Sequence, residues 1–572
     1  MKLWRKSALI APAVIVAMTA AACGGGSGSG SGGGGGTQSG GQMVYGESTA
    51  FTDNLFPLIS AGNSTATGNA EIRVLLSPFR LYPDFTYKPD TDLVVGEPTS
   101  EVTNGKQVVT YKINPKAVWS DGQPITSKDF EFTARLQKSV DPKDGGCADL
   151  LASTGYEQIG SVEGTDNDKT VTVTFTKPYG DWRQLFTLFP QHLMDKTDPK
   201  ANCAVVKKGW PVAGGVPLSS GPYLLDKAGI DVGKKTMILT KNPKWWGAEP
   251  SKLDRIIIQN IGSDPTVSVN ALRNKEVQMI YPQPQLDLVK QIKALEPQVT
   301  SSTNFGLSFE HLDFNTKDPQ LAQADVRKAF AYALNRPELV AKTVGQFDSR
   351  AQVLNNRYLV NNQPNYRDTS GGLYNKQDIA KSDELLKGLG YAKGPDGIYA
   401  KGGQRLSFTI MTTQANPLRE ATIDAITEQM KPAGFEIKKF LNPDIFAGPE
   451  KPRSLDGGEF QIALFAWVSQ PGPSSSQSIY ASPKGANIGQ NYTRGGDPRV
   501  DALLPRVAVE TDATKAAELG NQVDELLWQN MFTIPLYQKP TFLAYDSNYT
   551  GIVENATLAG PLWNSTAIAR KA

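Results

Sequence analysis

The chain has few of the side chains on which metal sites and proton relays depend. Its 572 residues include only three cysteines and two histidines, His192 and His311, which lie far apart in sequence. Imidazole is the commonest protein ligand for transition metals and the usual proton carrier near neutral pH. The composition therefore argues against a His-rich metal site or a His-centred proton relay, and we expect no metal and no cofactor.

An excess of one charge is also missing. Lysine and arginine number 59, aspartate and glutamate 57, and the formal net charge is +2. Domains that bind nucleic acid usually carry a strongly basic surface, so this balance gives no electrostatic reason to expect nucleic acid as a partner. Aromatic residues are plentiful, with 9 Trp, 19 Tyr and 22 Phe, which suits both a core and a pocket with flat apolar walls.

Long uncharged apolar runs are absent beyond the N-terminus. There, Lys2, Arg5 and Lys6 precede a stretch of small and apolar residues from Ser7 to Ala22. This order of basic and apolar regions is typical of a secretory signal peptide, which we predict over residues 1–22. The stretch is marginal for a transmembrane helix, which needs about 20 apolar residues.

Cys23 follows the predicted signal peptide directly, in the order Ala20-Ala21-Ala22-Cys23. This resembles a bacterial lipobox, in which the cysteine is diacylated and becomes the mature N-terminus, although Ala20 stands where leucine is usual. The alternative is an ordinary secretory signal with a chance cysteine. Residues 23–42 consist of this cysteine and a Gly/Ser-rich linker, a flexible coil with a reach of about 25 Å. Such a tether favours a lipid-anchored protein on the extracytoplasmic face of the cell membrane, in the periplasmic space or on the cell-wall side.

The other two cysteines, Cys147 and Cys203, form an even pair in a chain predicted to be exported. Exported proteins fold where disulfides persist, so we expect these two residues to be bonded. The alternative is a pair of buried free thiols.

Hydrophobic periodicity predicts a mixed α/β fold. Thr170–Thr176 alternates with a period of two, as a half-buried strand does, and Arg255–Gln259 is a short apolar run suited to a strand covered on both faces. Asp325–Leu334 predicts a helix with Asp325 as its N-cap, and Thr422–Lys431 predicts another that ends near Gly434.

Sequence signatures of catalysis are missing. The chain contains no P-loop, no G-x-S-x-G elbow, no H-E-x-x-H and no C-x-x-C motif. A reactive pair of carboxylates stays open, because 57 acidic residues allow many pairs. No motif demands covalent chemistry.

Short motifs occur in a characteristic order along the chain. They are Tyr111–Thr133 (YKINPKAVWSDGQPITSKDFEFT), Ser220–Tyr223 (SGPY), Lys241–Gly247 (KNPKWWG), Leu253–Met279, Asp313–Arg336 (DFNTKDPQLAQADVRKAFAYALNR), Phe460–Trp467, Asn491-Tyr492, Asp501–Leu504 and Ile534–Tyr537 (IPLY). Together they resemble the bacterial extracellular solute-binding proteins of family 5, the oligopeptide, dipeptide and nickel receptors of ABC importers, in the form of an actinobacterial-type lipoprotein. The resemblance extends from about Val44 to Tyr537.

The resemblance implies an α/β fold with two lobes joined by a hinge, the periplasmic-binding-protein fold of type II, cluster C, with an extra inserted domain. We expect the first lobe, on the hinge side, to comprise residues 43–75, 205–304 and 521–572. The inserted domain is expected over residues 76–204, and the second lobe over residues 305–520.

The resemblance also indicates where a ligand binds. Peptide-binding members of the family hold the α-ammonium of the peptide with an acid in a W-x-x-D segment, and here that acid is replaced by Gln470. An amide supplies no opposite charge, and an unpaired ammonium in a closed cleft is costly. Either another acid compensates, with Glu47 as a candidate, or the ligand has no free α-amine at that point.

The predicted ligand-binding set comes from two parts of the chain. Its members are Trp467, Ser469, Gln470, Tyr480, Asn491, Glu47 and Phe51. The segment Gln470–Tyr480 (QPGPSSSQSIY) is rich in hydroxyls and amides that suit a polar, uncharged ligand. The alternative for this segment is a solvated surface loop.

The resemblance implies a binding protein rather than an enzyme. Such a lipoprotein captures a peptide or peptide-like solute between two closing lobes and delivers it to ABC permease subunits in the membrane, and we expect it to be a monomer. An alternative is a non-transport envelope lipoprotein of the same fold that acts as a scaffold or regulator. A third possibility, an extracellular hydrolase, needs a reactive acid pair in the cleft.

Overall fold

The fold is that of a computed structural model, which describes residues 37–138, 146–151, 154–196, 198–485 and 487–572. The predicted signal peptide, Cys23 and most of the Gly/Ser-rich linker lie outside the described residues. None of the described helices combines the length and the apolar character that a membrane-spanning helix needs.

The strands, in chain order, are β1 Thr37–Gln38, β2 Gln42–Glu47, β3 Phe79–Leu81, β4 Tyr87–Pro89, β5 Thr99–Thr103, β6 Lys106–Lys112, β7 Ile159–Thr165, β8 Thr170–Phe175, β9 Tyr223–Leu224, β10 Ile230–Asp231, β11 Thr236–Lys241, β12 Arg255–Asn260, β13 Met279–Ile280, β14 Val299–Phe314, β15 Ala392–Lys393, β16 Tyr399–Lys401, β17 Gln404–Arg405, β18 Ser407–Thr413, β19 Glu436–Asn442, β20 Ile462–Val468, β21 Thr533–Asp546, β22 Tyr549–Thr550 and β23 Ala569–Lys571.

The α-helices are α1 Thr65–Glu71, α2 Ser127–Gln137, α3 Gln191–Met194, α4 Pro199–Lys208, α5 Pro265–Arg273, α6 Leu286–Lys293, α7 Ala324–Ala333, α8 Arg336–Lys342, α9 Ile379–Gly388, α10 Pro417–Met430, α11 Gln477–Tyr480, α12 Pro498–Val509 and α13 Ala513–Asn530. Several begin alike: the side chain of Asp264, Asn416 or Asp497 accepts a hydrogen bond from a backbone N–H group of the first turn, and a proline follows directly. Both features satisfy or remove backbone donors that have no partner within the helix.

One large mixed sheet passes through most of the molecule. Its strand order is β10-β11-β12-β2-β13-β21-β14-β20-β18-β19, with β9 also paired to β11. The two longest strands, β14 and β21, pair antiparallel in the middle, from Val299 opposite Asp546 to Asp313 opposite Thr533. Strands of one half of the sheet attach to β21, and strands of the other half attach to β14. The β14–β21 pair therefore connects the two halves of the molecule.

Two large apolar cores contain side chains of this sheet. The first joins side chains of residues 43–258 with C-terminal side chains such as Leu543 and Leu562, and the second joins side chains of residues 269–437 with those of β20 and β21. The four-stranded sheet β5-β6-β8-β7 lies in the predicted inserted domain, but its buried residues belong to the first core together with Met43 and Met237. The domain boundaries stay a prediction.

The predicted strands are present with small corrections. β8 covers Thr170–Phe175 and alternates between half-buried and buried side chains, as expected. β12 covers the predicted run, but only Ile256 and Ile258 are fully buried, whereas Ile257 is half-buried. The prediction that this strand is covered on both faces was wrong, because its neighbour β11 alternates in the same way and one face of the sheet is only partly covered there.

The two predicted helices differ at their N-termini. α7 begins one residue before Asp325, and Gln323 is the N-cap residue, so Asp325 lies in the first turn, where a negative charge is favourable. α10 begins at Pro417, earlier than predicted, because Asn416 caps it. Gly434 ends the turn that follows α10 and has a φ of +89°, as a glycine at this place permits.

Cys147 and Cys203 are joined by a disulfide, the pairing expected from the sequence. The bond links α4 to the segment around Cys147. Among the described residues, Cys147, Asp149 and Cys203 also form the one group with the proximity that a metal ion needs. Both of its sulfur atoms are already used in the disulfide.

Candidate functional site

A cavity of about 330 Å³ lies between α1 and the segment that follows β20. The hairpin of β3 and β4, the turn Trp182–Gln184 and a C-terminal segment complete its wall. The apolar part of the wall includes Leu58, Ile72, Leu76, Phe79, Phe189 and Trp563. Apolar walls with a few polar groups are usual in small-molecule sites, so this cavity is the candidate ligand site.

Gln470 is the predicted site residue that lines this cavity. The Tyr87 hydroxyl, at the start of β4, donates a hydrogen bond to Gln470 Oε1 at 3.2 Å. Burial raises the pKa of Tyr87, so the phenol keeps its proton and remains a donor. The amide oxygen of Gln470 is therefore already occupied.

Two further contacts connect the same parts of the chain. Ser474 donates to Asp181 Oδ2 through its backbone N–H, at 3.1 Å, and through its hydroxyl. The Gly180 N–H donates to the Ala508 carbonyl oxygen at 3.1 Å. We call these two contacts and the tyrosine hydrogen bond to Gln470 the closure contacts, because they hold the segment after β20 and α12 against the elements of the first core.

Trp467 and Ser469 lie close to Gln470 in sequence but face other neighbours. The Trp467 ring is nearly parallel to the rings of Tyr492 and His311, with centroids 5.7 and 5.8 Å away. The Ser469 N–H donates to the Leu307 carbonyl oxygen at 3.2 Å. Neither residue is among those that line the 330 Å³ cavity, and their contact with a ligand stays a prediction.

Tyr480 and Asn491 are buried in structural roles. Tyr480 is 7% exposed and packs on Tyr358, with ring centroids 5.3 Å apart, in a small core of its own. Asn491 is 3% exposed and donates to the carbonyl oxygens of Ala481 and Gly495 at 2.9 and 2.8 Å. Both side chains stabilise the segment after β20, and neither lines the cavity described above.

Glu47 and Phe51 also lie away from that cavity. The Glu47 carboxylate accepts hydrogen bonds from the Asn69 side chain at 2.8 Å, from the Tyr45 hydroxyl at 3.1 Å and from the Thr49 N–H at 2.9 Å. Both of its oxygens have partners, which leaves it poorly suited to receive an ammonium. Phe51 lines a separate hollow of about 200 Å³ beside β10 and β11.

The family model of the bacterial extracellular solute-binding proteins, family 5 (its middle region), matches residues 94–488. This is more than half of the chain. The chain belongs to this family. Its members are receptors that bind solutes, and the chain is accordingly a receptor rather than an enzyme.

Relatives of this family 5 receptor include the oligopeptide-binding protein OppA of Mycobacterium tuberculosis, which is 30% identical over 520 residues, 89% of this chain and 82% of that protein. A probable monoacyl phosphatidylinositol tetramannoside-binding protein of the same organism, LpqW, is 30% identical over 287 residues, 48% of this chain and 42% of that protein.

The solved structure of a periplasmic EDTA-binding protein, EppA, superimposes with a TM-score of 0.83 at 25% identity. The superposition covers 94% of this chain and 98% of that one. The predicted two-lobed α/β fold of this family 5 receptor is thereby confirmed.

The sequence interpretation missed Glu71 and Arg183, which both line the cavity of this family 5 receptor. Glu71 is the last residue of α1 and is only 5% exposed. The sequence gives no clear signal for it, because the segment from Ala66 to Leu76 that contains this acid also contains a second charge, Arg73. Arg183 lies between Asp181-Trp182 and the mostly apolar run from Leu185 to Phe189, and this setting gives no signal that it lines a cavity.

Proposed function

We propose that this chain is the substrate-binding lipoprotein of an ABC importer, which captures a peptide or peptide-like solute between its two lobes and delivers it to the membrane permease. The observation that carries the proposal is the cavity between α1 and Gln470, in whose wall the hydrogen bond from Tyr87 to Gln470 joins the two sides of the cleft. The similarity to OppA, which is named for oligopeptide binding, supports a peptide as the ligand.

The proposed mechanism is a shift between open and closed states. A ligand that contacts both lobes binds the closed state more tightly, and by this difference in affinity it favours closure. The closure contacts then form around the ligand, and the permease recognises the closed shape. No bond of the ligand is broken in this cycle, and we expect a single copy of the chain to carry it out.

Native mass spectrometry of the full chain purified from its own host tests the proposal. We expect the protein to carry a bound small molecule, because tightly held ligands often survive purification, and fragmentation should identify it as a peptide or a similar solute. Conversion of the bound compound into a different product on incubation with the pure protein would contradict a receptor function.

The lipid anchor is part of the same proposal and falls outside the described residues. Cys23→Ser removes the sulfur that would carry the lipid, so the variant should move from the membrane fraction to the soluble fraction. Ser27→Ala, a change four residues further along in the Gly/Ser-rich linker, is the matched control and should leave the protein with the membrane. A Cys23→Ser variant that stays with the membrane would refute the anchor.

The similarity to LpqW favours a second candidate function, that of an envelope lipoprotein outside transport. The two candidates differ in what the anchored protein contacts in the membrane. Crosslinking in intact cells should capture an ABC permease subunit if the chain serves import. If deletion of the permease leaves the cellular role of this chain intact, the second candidate is favoured.

A further inference from the structure

Two ionisable side chains that line the cavity have no ion-pair partner within the described part of the chain. They are Glu71, at the end of α1, and Arg183, in the turn Trp182–Gln184. Glu71 is 5% exposed, and its Oε1 atom has no hydrogen-bond partner among the described residues. A buried acid without a partner is costly for folding, which points to a role in binding.

The other charged groups of the cavity belong to a neutral cluster that also contains Asp92, a residue outside the cavity lining. Arg73 pairs with Asp90 at 3.2 Å, and Arg80 pairs with Asp90 and with Asp92, each at 2.6 Å. Although burial alone would raise the pKa of Asp90, the two guanidinium groups lower it. This group of two arginines and two aspartates carries no net charge, so it leaves the two unpaired side chains uncompensated.

Arg183 is held in place by aromatic rings. Its guanidinium carbon lies 4.4 Å from the centre of the Trp182 ring and 5.8 Å from that of Phe79. Stacking on aromatic faces positions a guanidinium without neutralising its charge. The adjacent Gln184 also lines the cavity, and its Nε2 atom is buried without a hydrogen-bond partner among the described residues. Two neighbouring donors of this kind suit a carboxylate.

We propose that the cavity takes a small zwitterion, whose cationic group is received by Glu71 and whose carboxylate is received by Arg183 and Gln184. This inference rests on the proposed function and deepens it, because a short peptide with free termini is such a ligand. A volume of about 330 Å³ is at the lower end of the range for small-molecule sites, so the ligand is short.

The proposal accounts for the glutamine in the W-x-x-D segment. Gln470 brings no charge, and its amide oxygen is engaged by Tyr87, while both oxygens of Glu47 have partners within the protein. Glu71 is the acid of the cavity that stays unused. Burial raises the pKa of Glu71 well above its usual range in the empty cavity, and an incoming ammonium would lower it again, so the carboxyl becomes charged when the ligand binds.

The test compares three forms of one tripeptide library, with free termini, with an acetylated N-terminus and with an amidated C-terminus. The full chain, freed of bound ligand, is equilibrated with each library, and retained peptides are counted by native mass spectrometry. We expect the free library to be retained about tenfold or more over each blocked library, because a hydrogen bond to a charged group contributes that much.

Two variants separate the two ends of the ligand. Glu71→Gln should abolish the preference for a free N-terminus and keep that for a free C-terminus, and Arg183→Gln should do the reverse. The matched controls Glu97→Gln and Arg506→Gln change exposed residues outside the cavity and should retain both preferences. Each preference is a ratio between two libraries measured on the same protein preparation, so a partly unfolded variant does not distort it.

The outcomes separate this inference from the proposed function. If the wild type retains peptides but binds free and blocked libraries equally, or if Glu71→Gln keeps its preference for a free N-terminus, the inference fails and the receptor function stands. If the wild type retains no peptide of any library, both the zwitterion site and the peptide-receptor proposal are overturned.

Discussion

Single residues in the cavity carry a cost in stability, and Glu71 shows this most directly. Burial raises the pKa of Glu71 well above its usual range, whereas an unfolded chain has a glutamate pKa of about 4.3. The folded state therefore holds a proton that the unfolded state releases as the pH rises above about 4. Folding stability falls over that range, and below it the effect disappears because both states are protonated.

We predict that Glu71→Gln stabilises the ligand-free protein at pH 7 by at least about 1.4 kcal/mol, the equivalent of one pKa unit, and that the gain vanishes near pH 4. The wild type and the Glu71→Gln variant share the other acidic and basic residues that line the cavity, which are Arg73, Arg80, Asp90 and Arg183. Urea unfolding between pH 4 and pH 8 measures the difference. A gain that does not depend on pH would show that the Glu71 carboxyl is not the cause, and Glu97→Gln serves as the exposed control.

The comparison of Glu47 with Glu71 shows the limit of prediction from the local sequence. Glu47 and Glu71 both lie in the N-terminal part of the chain, and the sequence favours Glu47 as the partner of an ammonium. In the structure, Asn69 and Tyr45 occupy one Glu47 oxygen, whereas Glu71 has none of these partners. Which acid stays free depends on the turn of α1 against β2, and no local pattern encodes it.

At the scale of the element, α1 brings a glycine into the cavity wall. Gly68 lies in the middle of the helix and lines the cavity, and a Cβ atom added there would meet no other atom within 4 Å. The cost of a glycine in a helix interior is about 1 kcal/mol relative to alanine. This cost is understandable if the open space next to Gly68 is needed for a ligand.

We predict that Gly68→Leu reduces peptide binding at least about tenfold, because its side chain enters the cavity, while the helix itself gains propensity. Gly68→Ala should bind nearly as well as the wild type and unfold at a higher urea concentration. Gly388→Leu, at an exposed helix end that is equally open, is the matched control. Full binding by Gly68→Leu would place the ligand elsewhere.

Elements were predictable where local rules suffice. The Asp121-Gly122 pair, a combination that favours tight turns, forms one in which the Gly122 N–H donates to the Trp119 carbonyl oxygen and φ is +93°. The N-cap of α7 was predicted two residues too late, because Gln323 and Asp325 both lie near the start of the helix and the backbone hydrogen bonds decide between them. Caps and turns follow from a few neighbouring residues, whereas burial of β12 depends on what covers the sheet.

At the scale of the whole molecule, the fold was predictable and the cavity was not. The ordered motifs indicate the family and with it the two lobes, since they occur along nearly the whole chain. The cavity, however, arises where segments distant in sequence meet, as in the hydrogen bond between Tyr87 and Gln470, which are 383 residues apart. Such a meeting depends on the relative position of the lobes, which no short motif encodes.

The closure contacts lead to a prediction about this change of shape. Asp181 accepts two hydrogen bonds from Ser474 across the cleft, and we expect these bonds only in the closed state. Asp181→Ala should therefore weaken ligand binding about tenfold, the effect of losing a hydrogen bond to a charged group, without lowering the stability of either lobe. A peptide-binding assay measures the affinity, and urea unfolding measures the stability. The radius of gyration from small-angle X-ray scattering measures closure.

The radius of gyration shows whether Asp181 contributes to closure of the two lobes. With a saturating peptide library, the wild type should contract, and Asp181→Ala should contract to the same value only at a higher peptide concentration, because the ligand then has to supply the missing free energy. Asp231→Ala, a partly exposed acid of the hairpin between β10 and β11, should behave as the wild type. If Asp181→Ala binds and contracts like the wild type, the contact with Ser474 contributes nothing to closure, and the lobes are held together by the ligand alone.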